Sequence, residues 1–494
     1  MWDPGPSSRG RRTTRRGMLR AAAAGAGGAA LAPLLAACSS GAVAAGKSTA
    51  APAVHAGTIV LRFAPNWQGA AWNKTALTLN QEFFDNNYTP KNPGVRVLVN
   101  NGSAQGSAAT QVAASIAGTG YLDVFQDCCN DFSILQAGGL LTPLNNNMKQ
   151  DNVDPTIWSA SHLAALTYNG QVLGLPAYDG PATVFYRQDI LDSLGLAYPD
   201  PSWDYKAATS LWQQCVGKTR TGAVRGGISI FDTPWYETMN WWLRAFGGPE
   251  MDATQTLPYF DKPYALAMAA YVQQNRASNV IIPRSGFSGP LNQGTCVFKQ
   301  SGGWELLPAV ETMGTSIKWD ILPMPYWPSG KRSTYNNVDF YVQNSATKHP
   351  EHAWQLLKYV CAEPDYQRFQ MQATLVQPSL LSLWDNWESL VVGTAPLLKT
   401  KSISWIKDAA MGGYNWPNAI FHYESVSADN LVNNWMGLIE GPGAKDTPTA
   451  GLAQLQQQMA ALQSNGAAEE ASAVSAARAF PTNGKPIAAM PPGI

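Results

Sequence analysis

From Thr58 onward, short apolar runs alternate with stretches whose apolar positions recur every three or four residues. Ile59-Val60-Leu61 is followed by Trp72, Ala76, Leu79 and Phe83 at helical spacing, then by Val95-Arg96-Val97-Leu98-Val99. A helical pattern through Val112 and Ile116 leads to Asp123-Val124-Phe125. Strand, helix and strand in alternation predict an α/β fold with a mainly parallel sheet. The pattern returns at Val172 to Leu175, Thr183 to Tyr186, Ile228 to Ile230, Val297-Phe298, Asp320-Ile321-Leu322 and Phe340-Tyr341-Val342. Ala177-Tyr178-Asp179-Gly180-Pro181 interrupts two of these runs with turn residues and is expected to be a crossover. Leu452, Leu455, Met459 and Leu462 predict a closing amphipathic helix, and residues 476–494 read as a loosely ordered tail.

The first 57 residues follow a different pattern. Ala21 to Ala37 is an apolar run of 17 residues, rich in Ala, whereas a spanning helix needs roughly 20 strongly apolar ones. Arg9, Arg11, Arg12, Arg15, Arg16 and Arg20 precede it, the charge arrangement of an export signal. Thr14-Arg15-Arg16-Gly17-Met18-Leu19-Arg20 resembles the twin-arginine motif, with Met18 where Phe is usual. Leu35-Ala36-Ala37-Cys38 resembles the lipobox of bacterial lipoproteins, which implies cleavage after residue 37 and lipidation of Cys38. Residues 38–57 then read as a flexible spacer. Within it GAVAAGKS fits the P-loop pattern by letter, but a P-loop needs a strand before it and a helix after it, and this match lies in an Ala/Gly/Ser tether directly after Cys38, so it is read as spacer.

Loss of residues 1–37 removes six of the 34 basic residues and one of the 34 acidic ones, leaving 28 against 33 and a net charge of −5. A mildly acidic, well-mixed surface offers no footprint for nucleic acid. Five cysteines remain besides Cys38, an odd number that leaves at least one free thiol, with no C-x-x-C pair. The five His are scattered; His349 and His352 read as the solvated start of a helix, so no metal or cofactor is expected. Eighteen Trp and 18 Tyr exceed what core packing alone uses, and aromatic rings stack on the apolar faces of sugars.

Several segments together resemble the extracellular solute-binding proteins of ATP-binding-cassette importers. These are Asn92-Pro93-Gly94-Val95-Arg96-Val97, Ala117-Gly118-Thr119-Gly120-Tyr121-Leu122-Asp123-Val124 and Gly138-Gly139-Leu140-Leu141-Thr142-Pro143-Leu144. Val172-Leu173-Gly174-Leu175-Pro176, Phe185 to Leu191, Ser301-Gly302-Gly303-Trp304 and Ser345 to Trp354 follow in the family's order. Arg187 and Phe298-Lys299-Gln300 depart from its pattern. The resemblance implies a two-lobed periplasmic-binding-protein fold of type II, with a ligand cleft and a hinge between the lobes. Lobe 1 is expected at 58–178 plus 342–385 and lobe 2 at 179–341 plus 386–475. Ligands of such sheets bind beyond the strand ends. The candidate contacts are therefore Trp67, Gln68, Asp127, Asn130, Tyr178, Asp179, Thr233, Trp235, Tyr236, Trp304 and Glu305, with Asp339 and Trp416 in addition. Trp235 and Trp304 fall where sugar-binding members carry stacking aromatics.

The expected function is capture of a carbohydrate by hinge closure and its delivery to the transmembrane permease of an importer. The expected form is a monomer held by its lipid on the outer face of the cytoplasmic membrane. The alternatives are a secreted carboxylate-dependent glycosidase, a binder of peptide or another non-sugar solute, and a sensor using the same closure. No G-x-S-x-G or H-E-x-x-H motif offers other hydrolytic chemistry.

Overall fold

The computed structural model describes residues 57–65, 74–100, 114–115, 117–118, 120–128, 132, 135–136, 138–168, 170–217, 225–230, 236–249, 259–283, 291–332, 336–412, 446–458, 460–461, 481–482 and 485–486. Its first three strands are β1 (Ile59–Ala64), β2 (Val95–Val99) and β3 (Val124–Cys128), with helix α1 (Lys74–Asn87) between the first two. The long strand β4 (Leu175–Arg187) follows, then α2 (Tyr205–Cys215), β5 (Gly226–Ile230), α3 (Tyr236–Phe246), α4 (Pro263–Ala277), β6 (Ile281–Pro283), β7 (Cys296–Gly302), β8 (Trp319–Leu322) and β9 (Asn336–Gln343). Helices α5 (Pro350–Ala362) and α6 (Pro364–Thr374), strand β10 (Gln377–Pro378), and helices α7 (Trp384–Thr394) and α8 (Ser404–Gly412) complete the main elements.

These strands form one 10-stranded sheet in the order β2-β1-β3-β9-β4-β7-β5-β6, with β8 and β10 also paired to β4. β1 is parallel to β2 and β3, and β5 is parallel to β6 and β7, as the alternating pattern predicts. β4 and β9 insert antiparallel pairings between the two parallel halves. The result is the two-lobed α/β architecture expected, with β4 serving both lobes.

The run Pro176 to Pro181 does not break the chain into two strands, as its turn residues suggested. Leu175–Arg187 is a single strand of 13 residues, buried throughout. Its neighbours explain the tolerance. β9 pairs with it as far as Pro181, while β7 pairs with it from Ala182 onward. Pro181 thus sits where the strand changes partners, a place where a missing N–H breaks no continuous ladder.

The apolar periodicity resolves into three buried clusters. Leu61, Phe63, Phe84, Leu175, Tyr341 and Tyr366 belong to one that continues under the second half of the sheet through Phe185, Cys296, Trp319 and Ile321. Phe63 meets Phe84 edge to face at 4.9 Å and stacks on Tyr341 at 5.3 Å, which fixes α1 and β9 against β1. Ala182, Val184, Tyr186, Trp212, Trp242 and Phe298 form the second cluster, and Phe125, Phe132, Phe340 and Val342 the third. Strand β4 feeds two of them because successive side chains point to opposite faces. Each fully buried Leu or Phe in these clusters contributes roughly 1.5–3 kcal/mol.

The closing helix is present over 448–458, and Leu452 and Leu455 bury against the second cluster. Within the tail, Pro481–Thr482 pairs antiparallel with Lys485–Pro486. No helix among the described residues is long and apolar enough to cross a membrane.

Candidate functional site

The site is built where β3, β9, β4 and β10 lie side by side. Residues directly opposite in a ladder share a face. Gln126 is opposite Tyr341, whereas Asp127 is opposite Phe340, which belongs to the cluster on the other face. Gln126, not the predicted Asp127, therefore turns toward Tyr341. Its Nε2 donates to Asp339 Oδ2 at 2.9 Å, and Tyr178 adds a second hydrogen bond to the same carboxyl. Burial lifts that carboxyl up to about 7, an effect the two hydrogen bonds partly oppose.

A small pocket, of about 20 Å³, opens beside this group. Its walls are Gln126, Ala177, Tyr178 and Tyr341 from the sheet, Tyr366, Gln367 and Gln370 from α6, and Val376, Gln377 and Pro378. Burial keeps the Tyr341 and Tyr366 hydroxyls protonated, so both remain donors. Tyr366 and Gln370 donate to Asn80 Oδ1 at 2.8 and 2.9 Å, which anchors this wall to α1. Gln367 is consumed internally: it donates to Cys361 and Ser379 and accepts from the Ser379 and Leu380 amides. The pocket thus joins buried aromatic rings of the first cluster with neutral amides and hydroxyls, and has room for about one water-sized group.

The other predicted residues take the following places. Tyr178 lines the pocket, and Asp339 lies against two of its walls. Asp179 is buried on β4, its Oδ1 3.6 Å from His162 Nε2, and burial pushes that imidazole down to about 3. Trp304 is half-buried in the turn after β7, its ring lying on Gly302 where a Cβ would collide with it. Glu305 is buried and pairs with Lys299 Nζ at 2.9 Å, so its charge is held by a cation of the chain itself. Tyr236 begins α3, with its side chain outside the described residues. Trp67, Gln68, Asn130, Thr233, Trp235, Trp416 and Cys38 also lie outside them.

The pattern reading missed Gln126, Tyr341, Tyr366, Gln370 and Gln377. A strict period-2 assignment of β3 would have singled out Gln126 over Asp127, and Gln377 was signalled only by the Gln-Pro step after a helical run. Cys215, Cys296 and Cys361 are free and buried. His349 precedes α5, which starts at Pro350, in keeping with the helix start read there. No group of three or more metal-ligating side chains occurs among the described residues.

A mixed sheet of this topology, with one strand paired into both halves, is a two-lobed α/β architecture. The profile of the bacterial extracellular solute-binding protein family matches residues 69–366, and the chain belongs to that family. Membership implies a working place outside the cytoplasm and a solute-binding role. Binding proteins of Brucella abortus and Brucella suis are 22% identical over 291 residues, 55% of this chain. The matched stretch spans 66% of the length of those relatives. An ABC substrate-binding protein of Listeria monocytogenes, solved in complex with cycloalternan, superposes with a TM-score of 0.65 at 15% identity, covering 81% of this chain and 98% of that one. The cyclic α-maltosyl-1,6-maltose binding protein of Arthrobacter globiformis gives 0.67 at 16% identity, covering 83% and 100%. At these identities the likeness is one of fold.

Proposed function

We propose that this protein captures a carbohydrate between its two lobes and hands it to the permease of an ATP-binding-cassette importer. The observation that carries the reading is the match of residues 69–366 to the bacterial extracellular solute-binding family, on a sheet whose strand β4 pairs into both halves. The 18 Trp and 18 Tyr of the chain supply rings for sugar stacking. The sugar ligands of the structural neighbours from Listeria and Arthrobacter support the same class.

The lobes comprise 58–178 with 342–385, and 179–341 with 386–475. The exchange of partners at Pro181–Ala182 supports a hinge there. Trp304 closes on the ligand from the second lobe, joined by Trp235 and Trp416 and by the loops carrying Trp67, Gln68, Asn130 and Thr233. The chain works as a monomer, exported through Arg15-Arg16 and tethered by a lipid on Cys38.

A thermal-shift screen against mono- and oligosaccharides, with amino acids and short peptides as controls, tests the ligand class. A stabilising sugar without product release supports the proposal; stabilisation by peptides alone, or hydrolysis of the sugar, overturns it. Metabolic labelling with palmitate tests the anchor, since Cys38→Ala should abolish incorporation.

A further inference from the structure

A side chain of β10, Gln377, is bonded to the turn that carries Trp304. Gln377 lies in β10 opposite Asp179 of β4, and it is fully buried. Its Nε2 donates to Gly303 O at 3.3 Å and to Leu375 O at 3.2 Å. The first acceptor belongs to the 3₁₀ turn Gly303–Glu305 after β7, the second to the residue that ends α6. A single amide therefore spans from the α6 end to the Trp304 turn.

Two further observations show that this contact is built. A Cβ on Gly303 would run into the Gln377 amide, so residue 303 must be glycine for the side chain to lie there. Leu375 holds φ 58° and ψ 17°, a left-handed conformation that is unfavourable for a residue other than glycine. Such a conformation persists only where its surroundings over-determine it. Here the Leu375 side chain is buried and its carbonyl is turned to receive Gln377.

The other end of the amide is free. Gln377 Oε1 is buried, has no hydrogen-bond partner, and belongs to a residue that lines the pocket. We infer that Gln377 is a positioning residue that couples the pocket to the Trp304 turn. Its Nε2 holds Gly303, and with it the ring of Trp304, against the wall of the pocket. The inference rests on the proposed function only in giving Trp304 a ligand.

The test is read without any ligand. The full chain is labelled with 5-fluorotryptophan, and Trp304→Phe identifies the Trp304 line in the ¹⁹F spectrum. Gln377→Leu should shift or broaden that line while leaving those of the core tryptophans in place. A Trp304 line unchanged in Gln377→Leu overturns the coupling. A second pair of variants covers the case in which Gln377→Leu fails to fold. Gly303→Ala should displace the Trp304 line, because the new methyl and the amide cannot share the space. In a Gln377→Ala background the same substitution should displace it far less; equal displacement in both backgrounds overturns the inference. A sugar screen that finds nothing leaves these outcomes standing, so the two readings fail separately.

Discussion

Asp339 and His162 are buried titratable groups whose burial acts in opposite directions. Asp339 accepts from Gln126 at 2.9 Å and its carboxyl is raised to about 7; His162, 3.6 Å from Asp179, is lowered to about 3. A raised carboxyl binds its proton more tightly in the folded chain, so its contribution to stability falls as pH rises from about 4 to about 7. A lowered imidazole must be buried neutral, so its contribution falls as pH drops from about 6.5 toward about 3. Between pH 4 and 6.5 the two slopes oppose each other.

Asp339→Asn should therefore gain stability relative to the parent as pH rises through that window, by up to about 1.4 kcal/mol per pH unit. His162→Gln should gain relative to the parent as pH falls below about 6.5. Urea midpoints from pH 4 to pH 8 report both differences. Variant and parent curves that run parallel would show that neither group titrates as its burial implies.

The buried pair Lys299–Glu305, at 2.9 Å, gives a second prediction. Removing one partner of a buried pair strands the other charge, at a cost of about 3–5 kcal/mol, whereas replacing both with apolar groups of similar size is often neutral. Glu305→Gln should lower the denaturation midpoint strongly, and Lys299→Met combined with Glu305→Leu should recover most of the loss. Equal destabilisation by the single and double changes would show that the pair is held for packing alone.

The same residues mark how far the sequence could be read. The parallel strands β1, β2, β3 and β5 were legible because their apolar runs are short, β-branched and bounded by turns. The continuity of β4 was not, since Gly180-Pro181 carries a local turn preference that pairing on alternate sides overrides. At the site, Tyr178, Asp339 and the Trp304 turn were visible as polar or aromatic residues beside strand ends. Gln377 and Tyr366 were hidden, because they reach the pocket from segments distant in sequence that only the packed sheet brings to β4. Glu305 looked like a ligand group, but its partner Lys299 stands six residues earlier on a strand whose facing the pattern did not fix.

The tryptophans supply the last prediction, because exposure separates two roles within one residue type. Trp212 is fully buried in the second cluster, with its backbone packed so closely on Gly227 that a Cβ there would collide. Trp304 is half-buried and lies on Gly302 at the rim of the same cluster. Trp212→Ala should cost about 3–5 kcal/mol of stability through the cavity it leaves. Whatever fraction remains folded should bind the sugar identified in the thermal-shift screen with the parent's affinity. Trp304→Ala should instead keep its melting temperature close to the parent's and weaken binding by more than about 2 kcal/mol, as central aromatic anchors do. Calorimetric titration beside thermal melts separates the two. If Trp304→Ala melts far below the parent while its folded fraction binds normally, Trp304 is a core residue and the ligand is gripped from the tyrosine wall alone.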